Sequence, residues 1–238
     1  MSIVLTLFNS TTGGDKSRAA KKLIEQSSPR QDFFLMVSLA ILMATFGLIL
    51  DSMAVIIGSM LIAPLFYPVM SLALGIVITD AKLAGRSLFT LLKASVLGII
   101  VSAVATVVFD GEVLAITPMS WFGSKTELIS VAVAVTAGTA ASFALIKPKL
   151  SETLPGIAIS VAMIPPLATV GLAMAWLSWD LVMRALLIYL MNILGLVLAS
   201  VVVFSLMGLY GQRGVIKKEM RRDEKDMKRE AKRAERGR

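Results

Sequence analysis

The sequence contains no cysteine and no histidine in its 238 residues. The chain therefore cannot form disulfides, Cys/His zinc or iron–sulfur sites, or use a cysteine nucleophile or a histidine base. No resident metal or other cofactor is expected. Charged residues make up only 17% of the chain and aromatic residues 7%. The residues that remain show no catalytic constellation, so we do not expect an enzyme.

Apolar residues, by contrast, make up 56% of the chain, and the mean hydropathy is +0.80. A folded chain of this length cannot bury so many apolar side chains in its interior, so the remainder must face lipid. Six segments with at most one charge each are long enough to cross a hydrocarbon core of about 30 Å as helices. We number these segments TM1 to TM6: 33–50, 53–79, 87–109, 128–146, 153–179 and 185–212. Because backbone groups in lipid must bond within their own segment, the sequence predicts an all-α integral membrane protein with six transmembrane helices.

The six spans form two units of three helices, 33–109 and 128–212, joined by a loop at 110–127. An N-terminal arm, 1–32, precedes these units, and a basic tail, 213–238, follows them. An offset of 102 residues superposes Ile62-Ala63-Pro64-Leu65 of TM2 on Ile164-Pro165-Pro166-Leu167 of TM5. Because each unit has an odd number of spans, the second unit must enter the membrane upside-down relative to the first. The sequence therefore predicts two inverted three-helix repeats, as in many secondary transporters.

Basic residues predict the orientation, because lysine and arginine concentrate in cytoplasmic loops. If the N-terminal arm is cytoplasmic, only Lys125 and Arg184 of the 24 basic residues lie on the other side. The loop 110–127, with Asp110 and Glu112, is then external. We therefore expect a multi-pass protein with both termini in the cytoplasm.

TM2 and TM5 each carry two prolines near mid-depth, and a proline has no N–H to donate to the carbonyl four residues earlier. The prolines are Pro64, Pro68, Pro165 and Pro166, and the carbonyls they leave without a helical donor are those of Met60, Pro64, Val161 and Ala162. An unpaired carbonyl costs several kcal/mol in lipid, so a neighbouring helix, water, or a bound ion or polar solute must meet each one. We predict that both helices are broken at these prolines. The alternative is a proline kink whose carbonyls are met by Ser or Thr of the next helix, with no ligand.

Few other polar side chains lie at membrane depth. Hydroxyls there commonly bond back to their own helix, and a membrane asparagine bridges helices more often than it lines a site. These polar side chains, the prolines and the residues beside them form a candidate site for an ion or substrate. The site includes no catalytic or metal-binding residue. Its members are Ser59, Met60, Pro64, Leu65, Pro68, Ser160, Val161, Ala162, Pro165, Pro166, Thr169 and Asn192.

The tail, 213–238, has 12 basic and 6 acidic residues and so holds +6 of the net charge of +8. Its good helix formers predict a charged helix that continues TM6 into the cytosol. Besides the bilayer itself, we expect anionic lipid headgroups as its partner, because basic juxtamembrane segments are attracted to them. The tail has no aromatic residues for stacking, so nucleic acid is not expected. Small residues four apart, such as Gly138 with Ser142, favour close helix packing, which leaves a homo-oligomer open.

Two stretches resemble the signatures of a prokaryotic membrane family known as domain of unknown function 389. The first is residues 44–65, ending in Ala-Val-Ile-Ile-Gly-Ser-Met-Leu-Ile-Ala-Pro-Leu, and the second is residues 154–171 together with Asn192. The resemblance covers about residues 17–207, although Asp51 and Ser59 replace the usual Asn and Ala. It implies the family's membrane fold and a prokaryotic inner membrane, without the larger soluble N-terminal domain of many relatives. It implies no established activity.

Two functions remain open from the sequence. The first is a carrier or channel for an ion or small polar solute, with its site between broken TM2 and TM5. The second is a non-transporting scaffold or lipid-binding assembly factor, in which the prolines only shape the bundle. A hydrated polar cavity at TM2 and TM5 favours the first function, and continuous helices packed by apolar side chains favour the second.

Overall fold

A computed structural model describes residues 12–109, 124–147 and 153–236. Within these ranges, side chains are described except at 124–128, 153–161, 228 and 230–236. The described chain is helical throughout apart from short connections, which confirms the all-α prediction for these ranges. The helices are α1 (Gly13–Gln26), α2 (Gln31–Ile49), α3 (Met53–Ile62), α4 (Phe66–Val77), α5 (Ala81–Phe109), α6 (Ser124–Ile146), α7 (Thr153–Ala175), α8 (Trp179–Leu206) and α9 (Arg213–Arg236), with a 3₁₀ turn at Leu209–Gln212.

Four of these helices, α2, α5, α6 and α8, are long and apolar enough to cross a membrane by themselves. A fifth span results if the bent pair α3 and α4 is counted as one. Helix α7 has 23 residues, but its part with described side chains, Ala162–Ala175, is shorter than a span. The chain is therefore a multi-pass membrane protein by the length and composition of its helices. Six spans in two inverted repeats stay a prediction, and most of the predicted external loop, at 110–123, lies outside the described residues.

Three tight corners connect consecutive helices in the same way. Each corner has one residue with a left-handed backbone, at Asp51 (φ 47°), Thr79 (φ 56°) and Leu177 (φ 56°). The next amide then donates to the carbonyl five residues earlier, which satisfies a carbonyl at the helix end. These bonds join Ser52 to Gly47 (2.8 Å), Asp80 to Gly75 (2.9 Å) and Ser178 to Ala173 (3.0 Å). The corners fold consecutive helices back on each other with almost no intervening loop.

Glycine allows two close helix crossings in the bundle. A Cβ added at Gly171 of α7 would lie 2.5 Å from the carbonyl oxygen of Ile99 in α5. A Cβ added at Gly138 of α6 would lie 2.8 Å from the carbonyl oxygen of Leu196 in α8. Small residues let helix backbones approach in this way in membranes. The small-residue spacing at Gly138 is thus used within the subunit.

The two terminal helices pack together at one end of the bundle, which we call the terminal face. Helix α1 contacts α4, α6 and α9, and it buries Leu23 and Ile24. After α8, Gly208 takes a left-handed backbone (φ 70°) and the chain turns into the 3₁₀ segment before α9 begins. Ile216 and Met220 of α9 are buried. The prediction that TM6 continues into the tail as one helix is therefore wrong, because the chain turns at Gly208 and α9 then packs against α1 and buries Ile216 and Met220.

Candidate functional site

The second predicted span is interrupted at Pro64. Helix α3 ends at Ile62, Ala63 is extended (φ −71°, ψ 121°), and α4 starts at Phe66 with its axis turned by 54°. A residue before proline is driven out of the α region by the proline ring, which explains the extended Ala63. Pro68 is the third residue of α4, in the first turn, where no amide has a helical acceptor in any case. Pro68 therefore removes no helical hydrogen bond. The prediction that it leaves the Pro64 carbonyl without a helical donor is wrong.

A polar cavity of about 510 Å³ opens at the terminal face and extends to Pro64. Phe33 and Met36 of α2 line it beside this proline. Polar side chains from the end of α1, from the connection to α2 and its first turn, and from α9 form the rest of its wall. Its charged lining side chains are Glu25, Asp32, Glu219, Asp223, Asp226, Arg30 and Arg222. The break in the second span therefore borders a polar space, one wall of which belongs to the tail helix.

A buried ion pair holds α9 at the edge of this cavity. The Arg86 guanidinium of α5 donates to one carboxylate oxygen (Oδ2) of Asp223, whose side chain is only 3% exposed. The Ser28 hydroxyl donates to the same oxygen at 2.7 Å, and Arg30 lies 3.6 Å from the other oxygen. A buried carboxylate is tolerated only when it is paired and hydrogen-bonded in this way. A second pair, Lys82 with Glu224 at 2.6 Å, lies next to it on the same two helices.

The prolines of the fifth predicted span lie inside an uninterrupted helix. Helix α7 continues through Pro165 and Pro166, so the predicted break in TM5 is wrong. Its physical reason lies in α8: the Asn192 side-chain amide donates to the Ala162 carbonyl at 2.7 Å. This is the carbonyl that Pro166 leaves without a helical donor. A neighbouring helix thus meets the requirement without a ligand, although through an asparagine and not through the Ser or Thr that the alternative expected.

Asn192 is itself only half satisfied. Its side chain is buried, with 3% exposed, and its amide nitrogen is bonded to Ala162. Its side-chain oxygen is buried without a hydrogen-bond partner among the described residues. The Asn192 side chain therefore bridges α8 to α7 through its amide nitrogen, while its oxygen is a buried acceptor without a partner among the described residues.

The hydroxyls of the candidate site bond to their own helices. Ser59 donates to the Ile56 carbonyl at 2.6 Å, and Thr169 donates to the Pro165 carbonyl at 2.9 Å. Such back-bonding uses the hydroxyl proton, so neither hydroxyl is left to donate to a ligand, while each oxygen keeps its acceptor lone pairs. Neither hydroxyl needs a bound solute as its partner.

The remaining candidate residues are mostly part of the apolar packing. Met60 and Leu65 are 5% and 0% exposed and belong to the main hydrophobic core. Ser160 and Val161 lie in the first part of α7, where side chains are outside the described residues. Of the predicted site residues, Ala162 and Asn192 are thus in contact, and Pro64 lines the cavity. Helices α3 and α7 pack against each other, but no described polar contact links Pro64 to Asn192.

The family model described as "Domain of unknown function (DUF389)" matches residues 60–198. The chain belongs to the DUF389 family. An uncharacterized protein of Methanocaldococcus jannaschii, MJ0678, is 32% identical to this DUF389 member over 191 residues. The aligned part is 79% of this chain but only 58% of that relative, and no solved structure matches.

Two buried polar contacts of this DUF389 protein were not predicted from the sequence. The first is a buried link across three helices: Ser102 of α5 donates to the Ala168 carbonyl of α7 at 2.6 Å and lies 2.9 Å from the Thr45 hydroxyl of α2. The second is the pair of Asp223 with Arg86. For Asp223 a signal existed, since it falls three residues after Met220 on the apolar stripe of an amphipathic helix. An acid on such a stripe indicates a buried partner.

Proposed function

We propose that this DUF389 member is a carrier or channel for an ion or small polar solute rather than an enzyme. It would act in a prokaryotic cytoplasmic membrane with both termini in the cytoplasm, as the basic residues of its loops favour. The observation that supports this most directly is the polar cavity that ends on Pro64, at the interruption of the second span. The terminal face would then be the cytoplasmic entrance.

The break at Pro64 supports transport for a physical reason. Backbone without helical bonds is tolerated at membrane depth only where it is buried in protein or lines a polar cavity. Pro64 is half-buried and lines the cavity, so this segment is accessible from the terminal face. Discontinuous helices of this kind form the substrate sites of several transporter folds.

The repeated corners support six spans in two inverted repeats. The corner at Thr79 precedes α5 and the corner at Leu177 precedes α8, and both have the same left-handed residue and closing bond. They are 98 residues apart (177 minus 79), close to the offset that aligns the prolines. In this arrangement α7 would be the counterpart of α3 and α4, and Asn192 would stabilise it in the unbroken form.

A non-transporting scaffold or lipid-binding factor is the second candidate. It is favoured by the bond from Asn192 to the Ala162 carbonyl, because the protein itself then satisfies a group that we had expected a solute to meet. In that case the cavity would be only a cleft between the terminal helices and the bundle.

A flux assay in liposomes distinguishes the two candidates. The wild-type protein, Pro64→Ala and the control Gly214→Ala would be reconstituted and tested with monovalent ions and small polar solutes. Gly214 is exposed in open space, so its substitution should leave flux unchanged. Pro64→Ala restores an amide and lets α3 continue, so we expect flux to fall to the level of empty liposomes. Wild-type flux equal to that of empty liposomes for every solute would contradict transport and support the scaffold.

A further inference from the structure

The charges of α9 are separated by sign. Between Arg213 and Arg229, the exposed charged residues are all basic among those with described side chains: Arg213, Lys217, Lys218, Arg221, Arg222, Lys225 and Arg229. The four acidic residues of the same stretch are buried or half-buried: Glu219, Asp223, Glu224 and Asp226. The helix therefore has a basic outer face and an inner face with acids and apolar side chains.

The helical repeat explains this separation. Residues four apart lie on one side of an α-helix, so Lys217, Arg221 and Lys225 form a continuous basic stripe. Ile216 and Met220, each one position earlier, lie about 100° around the helix from this stripe and are buried. The ion pairs of α9 with α5 thus use its acids, Asp223 and Glu224, and leave the stripe of Lys217, Arg221 and Lys225 exposed to another partner.

The contacts of Asp223 place the middle of α9 at the level of the membrane surface. Its partner Arg86 directly precedes the apolar segment 87–109 of α5, and its neighbour Arg30 comes shortly before the apolar segment 33–50. An apolar segment of this length lies in the hydrocarbon core, so the charges at its start lie among the headgroups. Asp223 must lie at the same depth because it contacts both arginines.

We propose that the outer face of α9 binds anionic lipid headgroups, chiefly through Lys217, Arg221 and Lys225. At this depth the phosphates of neighbouring lipids surround the bundle, and a basic stripe at the membrane surface attracts the negatively charged ones. The attraction is electrostatic, so it weakens as salt concentration rises. This binding does not depend on whether the protein transports a solute.

The test uses the absence of native cysteine. A single environment-sensitive fluorophore is attached to Gly214→Cys, a position with open space around it, in the full-length protein. The protein is placed in nanodiscs of phosphatidylcholine with increasing phosphatidylglycerol, and quenching by a headgroup-attached nitroxide lipid is measured. We expect quenching to rise with phosphatidylglycerol and to decrease again in high salt. Quenching that is independent of phosphatidylglycerol would overturn the proposal.

Two charge variants make the assignment specific. The triple variant Lys217→Gln, Arg221→Gln and Lys225→Gln should require at least about threefold more phosphatidylglycerol for half-maximal quenching. The matched control removes three positive charges from α1 instead, as Arg18→Gln, Lys21→Gln and Lys22→Gln, and should retain the wild-type response. Equal losses in the two variants would mean that net charge alone matters and would overturn the role of α9.

A competing partner is tested in the same nanodiscs. Short nucleic acid or polyglutamate is added to the labelled protein in pure phosphatidylcholine. If either one changes the fluorescence at low concentration while phosphatidylglycerol does not, the basic face binds a soluble polyanion and the proposal is wrong. If phosphatidylglycerol alone acts, the lipid assignment holds.

Discussion

Asn192 should matter for stability only because Pro166 is present. In the native chain its side chain donates at 2.7 Å to the Ala162 carbonyl, which has no helical donor. Asn192→Ala leaves that buried carbonyl unpaired. In a Pro166→Ala background, however, the restored amide at position 166 donates to Ala162, and the asparagine becomes redundant.

Two opposing effects determine how much Asn192→Ala lowers the free energy of unfolding. A buried acceptor that loses its donor costs about 1–3 kcal/mol, although hydrogen bonds between membrane helices average only about 0.6 kcal/mol. The side-chain oxygen of Asn192 is unpaired among the described residues, so the substitution also removes an unsatisfied group. We therefore expect Asn192→Ala to lower the free energy of unfolding by about 1 kcal/mol natively and by only a few tenths with Pro166→Ala. The coupling energy is then about 0.7 kcal/mol.

A double-mutant cycle measures this coupling through reversible unfolding in mixed micelles, with helicity as the signal. Pro165→Ala is the matched control, since it restores an amide for Val161 and does nothing for Ala162. Asn192→Ala should therefore cost as much with Pro165→Ala as in the native chain. If it costs the same amount in the Pro166→Ala background as well, the bond does not replace the missing helical donor, and the explanation for the unbroken helix fails.

Three further predictions concern single contacts. Asp223→Asn leaves the partly buried guanidinium of Arg86 without its counter-ion, so amide hydrogen exchange in α9 should accelerate by at least about tenfold. Unchanged exchange would show that the pair does not hold the helix. Gly171→Ala forces a close helix crossing apart and should cost about 1–3 kcal/mol of unfolding free energy, whereas Gly214→Ala in open space should cost little. The hydrogen bonds of the Thr12 side chain and backbone lower the pKa of Asp15. The stabilisation of α1 by this carboxylate is therefore present near neutral pH and is lost as the pH falls through the lowered pKa. Thr12→Val removes the side-chain hydrogen bond, so an NMR titration of Asp15 should show the loss at a higher pH.

The break at Pro64 and the continuity at Pro166 show how far local sequence determines a membrane helix. Both prolines withhold a bond from the carbonyl four residues earlier, and this follows from the sequence alone. Whether the helix breaks depends on what lies beside that carbonyl. Asn192 in a later helix reaches Ala162, while the chain at Ala63 turns away and Pro64 borders a cavity. Such partners are distant in sequence, so no local pattern decides between the two outcomes.

The sequence by itself determined that this protein is helical and crosses a membrane several times, because lipid offers no hydrogen bonds to the backbone and apolar segments of span length have no other stable place. It also pointed to Pro64 and to a basic, helical tail. Only the tertiary structure decided that the tail turns at Gly208 and docks through Asp223 against Arg86. The reason is physical: an acid among many charges in a polar helix acquires a specific role only when folding buries it next to a particular cation.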